Sequence, residues 1–305
     1  MWKKILSSKI LRYSFSIVLL YFAFQKVNIL ALGKELLSVP WWTVPVLLLY
    51  LSITMFIGGW RWSTLVLNKS KLIDVLHFTK ATYLGGFYGM FFPSAFAGDL
   101  IKWTALIKSY PKISKIKLAG TVLIDRVLGF TALCFVALIA LVVGKIKGYY
   151  FPDYLWWVFI LINIGTAIFF VLALAIDFET IIGKFKKLSK IAEIAGLIRN
   201  TENKYLLFVF LLCLISEPLW MASTWFIALV FGLNLHLLDV LIFMPVISLI
   251  LVLPISVAGF GARETLFVYF FSQLGLPVDK ILAVSTFNGI VNVFGSLVGG
   301  FLTFF

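Results

Sequence analysis

Phe92-Pro93-Ser94-Ala95-Phe96-Ala97-Gly98-Asp99 interrupts a long apolar run, and its reading decides the fold. Proline lacks an amide donor and glycine permits backbone that a helix forbids, so a helix entering this stretch breaks inside it. Upstream lie Arg61, Lys69 and Lys71; downstream lie Lys102, Lys108, Lys112, Lys115 and Lys117. If 76–98 crossed a bilayer completely, these basic groups would fall on opposite sides, against the tendency of Lys and Arg to collect in cytoplasmic loops. A re-entrant hairpin that enters and leaves on the cytoplasmic side removes the conflict. Irregular backbone survives at membrane depth only when protein or a wet cavity surrounds it.

A second interruption, Pro254-Ile255-Ser256-Val257-Ala258-Gly259 within 240–274, shares the pattern P-x-x-x-A-G with Pro93 to Gly98. With the N-terminus in the cytoplasm, the first hairpin enters from inside and the second from outside. That is the arrangement of an inverted repeat, whose substrate site lies near the midplane where broken helices meet. The same glycines, with Gly85, Gly86 and Gly89, also suit close helix packing alone.

Outward from these breaks, composition sets the class. The 305 residues are 62% hydrophobic and 13% charged, with mean hydropathy +1.06, more apolar surface than a water-soluble core hides. Apolar runs at 10–27, 41–59, 119–143, 154–176, 205–231 and 281–305 approach or exceed the roughly 20 residues that cross a bilayer as helix. Lys-rich connectors separate them, which excludes a β-barrel pattern. The expected fold is an all-α polytopic membrane protein: about six full transmembrane helices plus two re-entrant broken-helix hairpins. It forms a single domain over 1–305, with repeat halves 1–150 and 151–305 if the hairpins are related.

The net charge of +13 sits in short loops, where it orients the protein and meets anionic lipid; nucleic acid is not an expected partner. Cys134 and Cys213 lie in apolar runs and read as small core residues. His77 and His236 have no ligand-spaced neighbours, so no metal and no cofactor is expected. Lys3, Lys4 and Lys9 precede the first run as in a signal peptide, yet Ala31 and Gly33 make a weak cleavage pattern, so it is read as retained. Trp41, Trp42, Tyr149, Tyr150, Trp156 and Trp157 mark one interface, and Trp60 and Trp62 the other.

Arg61-Trp62, the Pro93 to Asp99 turn with Lys102, Ile124-Asp125-Arg126 opening a span, and Pro254 to Glu264 together resemble the lysylphosphatidylglycerol synthase transmembrane region, also called the flippase-like or UPF0104 family. The resemblance covers nearly the whole chain. It implies a multi-pass protein of the cytoplasmic (inner) membrane with a lipid-translocating fold, since in fused relatives this region moves aminoacylated phospholipid such as lysyl-phosphatidylglycerol outward. Those relatives also carry a soluble transferase that this chain lacks, so it is not expected to make the lipid itself. Departures exist: Ser94-Ala95 replaces a Gly-rich turn, Lys102 stands for an Arg, Ala258 for a common Gly, and Asn288 and Asn292 for a basic residue in the last span.

Charges at membrane depth cost several kcal/mol unless paired or wet. Asp125 and Arg126 are neighbours on a helix, about 100° apart, and each needs a partner elsewhere. Asp99, Arg126, Arg263 and Glu264 are expected to form a polar network, with Arg126 or Arg263 holding a lipid phosphate; a ligand-free salt-bridge network or snorkelling accounts for the same residues. The candidate substrate-binding residues are thus Asp99, Lys102, Asp125, Arg126, Arg263 and Glu264. The hairpin-turn residues are Pro93, Gly98, Pro254, Gly259 and Gly261. Glu217, before Pro218 in an apolar run, is either a proton-coupling group or a buried acid kept neutral.

From Ile181 to Ile198, Ile181, Phe185, Leu188, Ile191, Ala195 and Ile198 recur at helical spacing among lysines, as in an amphipathic helix on the cytoplasmic leaflet or a plain connector. Three functions remain. The first is a flippase for a phospholipid or lipid-linked phosphate; the others are a non-catalytic partner of a lipid-modifying or glycosyl-transfer enzyme, and a headgroup transferase, although no catalytic motif is recognisable.

Overall fold

Backbone amides in lipid must be satisfied within their own segment, which an apolar run achieves as an α-helix. The computed structural model describes residues 29–91, 95–177, 189–253, 259 and 261–304, and among these it contains eleven α-helices, two short 3-10 turns and no strand. In order they are α1 (Ile29–Leu37), α2 (Thr43–Leu67), α3 (Leu72–Gly89), α4 (Ala95–Thr104), α5 (Lys115–Ile146) and α6 (Asp153–Ala175). There follow α7 (Ser189–Arg199), α8 (Asn203–Val230), α9 (Leu237–Leu251), α10 (Ala262–Phe271) and α11 (Val278–Phe301). Five are long and apolar enough to cross a membrane: α2, α5, α6, α8 and α11. They correspond to the expected spans after the first; 10–27 lies outside the described residues. The protein is therefore an all-α, multi-pass membrane protein.

One boundary moved, with consequences. The second span does not end near Gly59 but continues to Leu67, so Arg61 and Trp62 belong to α2 and not to the following loop or an interfacial belt. Trp62 is fully buried: its ring meets Phe78 edge-on at 4.7 Å and its indole N–H donates to Thr121 Oγ1 at 3.0 Å. An indole whose polar edge is satisfied inside has no reason to seek the headgroups. Trp41, Trp42, Tyr149, Tyr150 and Trp157 are exposed at span ends, where amphipathic rings favour an interface.

Both interrupted segments are helix–break–helix. The return arms α4 and α10 have ten residues each. At 1.5 Å per residue each covers about 15 Å, half of the ~30 Å hydrocarbon layer, so neither crosses alone. Pro93 and Pro254 lie outside the described residues. In the first hairpin α4 lies against the last turn of α3: a Cβ on Gly98 would stand 2.6 Å from the Gly85 carbonyl oxygen, so only glycine fits. In the second, Phe243 of α9 meets Phe270 and Phe271 at the far end of α10, with ring centroids 5.5 and 5.7 Å apart, an antiparallel pairing. Gly259 and Gly261 both have φ of 80°, the left-handed region open to glycine.

The chain divides into two compact units, each drawing on both halves of the sequence. The first comprises Met1–Ile53, Tyr83–Ile101 and Trp220–Phe305; the second comprises Thr54–Thr82 and Lys102–Leu219. In the second, Leu65, Ile124, Leu128, Val209 and Cys213 form one buried cluster and Trp62, Val66, Phe78, Leu118 and Val122 another. Both cysteines are buried thiols in this unit.

The described part of the expected amphipathic segment, α7, packs on α5 and α6. Of the expected stripe, Ala195 and Ile198 are buried, as is Ala192, so this end of the segment is covered by protein; Ile181, Phe185 and Leu188 lie outside the described residues. The loop between α4 and α5 is latched to α3, where the Tyr110 hydroxyl donates to Asp74 Oδ1 at 2.7 Å. Burial first, then the Asp74 carboxylate, pushes the Tyr110 phenol well above its ordinary value.

Candidate functional site

Two groups of buried polar side chains stand out, one in each unit. In the second unit α2, α5 and α8 each carry charge into the helix core. Arg61 donates from Nε to Asp125 Oδ1 at 3.0 Å and from Nη2 to Asp125 Oδ2 at 3.2 Å, a two-pronged pairing. Its Nη1 donates to Ser216 Oγ at 2.7 Å and to Glu217 Oε1 at 2.6 Å. A guanidinium has five N–H donors, so four are engaged by the protein. Lys102 adds a second cation, with Nζ 4.0 Å from Asp125 Oδ2 and 4.7 Å from the Trp62 ring centre.

Two cations and two carboxylates balance, which is how ionised groups persist where water is scarce. The sequence reading placed Asp125, Lys102 and Glu217 among the functional candidates but missed Arg61, which joins them. The available signal was Leu65-Val66-Leu67: the apolar pattern resumes after Arg61, and Gly58-Gly59 is not followed by a turn. Glu217 is ion-paired to Arg61 rather than solitary.

The first unit holds the other group, built on the start of α10 and one face of α11. Gly261 precedes α10 with its left-handed backbone, and its amide donates to Glu264 Oε2 at 2.7 Å. Glu264 is almost fully buried and also accepts from Arg263, at 3.4 Å from Nε and 3.3 Å from Nη2. These bonds are long beside the roughly 2.7–2.9 Å of strong charge-assisted pairs.

The Arg263 guanidinium lies on bare α11 backbone. A Cβ on Gly289 would collide with Nη2 and stand 2.9 Å from Cζ. Ser285, Asn288, Gly289 and Asn292 recur at i, i+3, i+4 and i+7, one face of α11. Asn292 Nδ2 donates to Asn288 Oδ1 at 2.7 Å, and Asn288 Nδ2 donates to Thr224 Oγ1 at 2.9 Å. The Ser285 hydroxyl is fully buried without a hydrogen-bond partner among the described residues. A buried hydroxyl left unmatched costs about 1–3 kcal/mol, so a polar face with such a group suits a bound polar molecule.

Of the four residues expected to form one network, Arg263 and Glu264 meet. Asp99 on α4 and Arg126 on α5 are half-buried and belong to different units. Asp125, the neighbour of Arg126, finds its partners on α2 and α4 as the helix geometry required.

A family model for the transmembrane (TM) region of lysylphosphatidylglycerol synthase matches residues 9–299. No curated protein and no solved structure matches the chain.

Proposed function

The chain belongs to the lysylphosphatidylglycerol synthase transmembrane-region family, and from that premise we propose that it moves a phosphate-bearing phospholipid between the leaflets of the cytoplasmic membrane. The observation that carries the reading is Arg263 laid across Gly289, on the same face of α11 as Ser285, Asn288 and Asn292. A guanidinium can exchange long bonds such as those to Glu264 for a phosphate, which accepts two parallel N–H donors. Asn288 keeps one amide N–H beyond its bond to Thr224, and a neutral donor binds an anion without trapping it as a second fixed cation would.

The two hairpins support the same reading. Lys102 follows Pro93 by nine residues and Arg263 follows Pro254 by nine, and each return arm carries a cation, Lys102 in the last turn of α4 and Arg263 in the first turn of α10. Broken helices are the pattern of inverted-repeat transporters, in which substrate binds near the midplane. In this reading the Arg61 cluster of the second unit is a brace and the Arg263 group of the first unit is the headgroup site. Lys184, Lys186, Lys187, Lys190 and Arg199 then lie on the cytoplasmic side, where anionic headgroups collect.

The test is a leaflet-sidedness assay in vesicles holding the purified protein and fluorescent phosphatidylglycerol, read by quenching from outside. Wild type exposes both leaflets to the quencher. Arg263→Gln and Gly289→Val are expected to lose at least about 90% of the movement, a tenfold effect or about 1.4 kcal/mol, while eluting as folded protein. Full movement by both variants refutes the assignment of Arg263. No movement by folded wild type with any phosphate-bearing lipid refutes the function and favours a partner role for a separate enzyme.

A further inference from the structure

Away from both charged groups, the second unit contains a cavity of about 530 Å³ between α5, α6 and α8. From the geometry of this slot we infer that it holds one acyl chain of a membrane lipid, drawn from the leaflet on the side of α7. The chain-binding claim stands on the slot itself; only the choice of a phospholipid as its owner rests on the proposed function.

Length is the first argument. On α6 the lining runs from Asn163 to Leu174, eleven steps or about 16 Å at 1.5 Å per residue. One leaflet contributes about half of a ~30 Å hydrocarbon layer, so the slot has the depth of a single leaflet. Its ends agree with that. Leu174 and Asn203 line the end nearest the α6 C-terminus and the α8 N-terminus, while Phe135 and Phe210, ring centroids 6.4 Å apart, line the wall further in. Close in sequence to the outer end come the half-exposed ion pair of Asp177 with Arg199, 2.7 Å, and then Asn203 at the start of α8. That polar collar suits a headgroup and ester region, and the interior suits hydrocarbon.

Lining chemistry is the second argument. Thr131 Oγ1 donates to the Val127 carbonyl at 2.7 Å, Asn163 Nδ2 to Phe159 at 2.8 Å and Thr166 Oγ1 to Ile162 at 2.9 Å. With these donors turned into their own helices, the wall is met as carbon. Volume is the third. A helix about 10 Å across needs more than twice 530 Å³ over the same length, so a partner helix does not fit, whereas a flexible hydrocarbon chain does. Few residues of the apolar stretch of α6 are buried, which leaves the slot's outer side open for a chain to enter sideways. Leu128 lines the slot one turn from Asp125, which places a bound lipid beside the charged core of this unit.

The experiment uses the full-length protein in vesicles containing phosphatidylglycerol with a photoactivatable diazirine in its acyl chain, and adducts mapped by mass spectrometry. Adducts at Phe170, Leu206 and Phe210 are expected to exceed those at Leu161 and Val171, which are exposed on α6 outside the slot, by about tenfold, equivalent to about 1.4 kcal/mol. Ala167 lines the slot and is exposed, so Ala167→Trp fills the space without disturbing the core and is expected to bring the slot adducts to the reference level. A parallel arm with a diazirine fatty acid separates a free fatty acid from a phospholipid as the chain's source. Equal labelling of slot and reference residues in wild type overturns the inference. Movement measured in the same vesicles keeps the two claims apart. Labelling lost with movement retained overturns the slot alone; labelling retained with movement absent leaves the slot standing and overturns the transport reading.

Discussion

Arg61→Gln removes a residue that joins three membrane helices, α2, α5 and α8. Four charge-assisted hydrogen bonds disappear, two to Asp125 and one each to Ser216 and Glu217. What remains is two buried carboxylates with Lys102 as the only cation of the cluster, 4.0 Å from Asp125. Deleting one partner of a buried ion pair costs about 3–5 kcal/mol, chiefly because a charge is left uncompensated. At about 2–4 °C per kcal/mol, the midpoint of thermal unfolding in detergent is expected to fall by about 6–20 °C. If uncompensated charge is the cause, restoring neutrality restores stability. Arg61→Gln with Glu217→Gln leaves Asp125 facing Lys102, and this double variant is expected to regain about 1–3 kcal/mol over the single one. Arg61→Lys keeps the charge but not the fork, and is expected to fall between wild type and Arg61→Gln. The assay is the loss of monodisperse protein on size-exclusion chromatography after heating. An Arg61→Gln variant that melts within about 2 °C of wild type, or a double variant no more stable than the single, refutes the brace.

Two further outcomes follow from geometry outside that cluster. Gly98→Val drives side-chain carbon into the Gly85 carbonyl, 2.6 Å from even a Cβ, and is expected to cost more than the roughly 1–3 kcal/mol of ordinary overpacking, seen as a sharp fall in folded yield; Gly33→Val, with open space around it, is the control. The Tyr110 phenol is held above its ordinary value, so the unfolded chain ionises first as pH rises past 10.0, and the stability from the latch to Asp74 is full below that pH and lost above it. Tyr110→Phe is expected to lower stability by about 1 kcal/mol at pH 7 and to flatten the alkaline decline, measured by thermal unfolding from pH 8 to 11; an unchanged alkaline slope contradicts the latch.

The hydrophobic runs and the interrupted segments were legible in the sequence, because membrane solvation imposes length and polarity rules on each segment by itself. Family membership was legible for a related reason: Asp125, Lys102 and Arg263 are conspicuous against an apolar background. Partnerships were not. Arg61 read as a loop cation because a charge at the end of an apolar run looks like a boundary, and only the arrival of Asp125 on α5 and Glu217 on α8 makes its burial affordable. Trp62 looked interfacial until Thr121 satisfied its N–H inside the unit. The space that Gly289 leaves for Arg263, and the slot between α5, α6 and α8, depend on how surfaces distant in sequence come together. Segment solvation is a local property of the chain, whereas charge compensation and cavities exist only between elements, and so only the tertiary structure decides them.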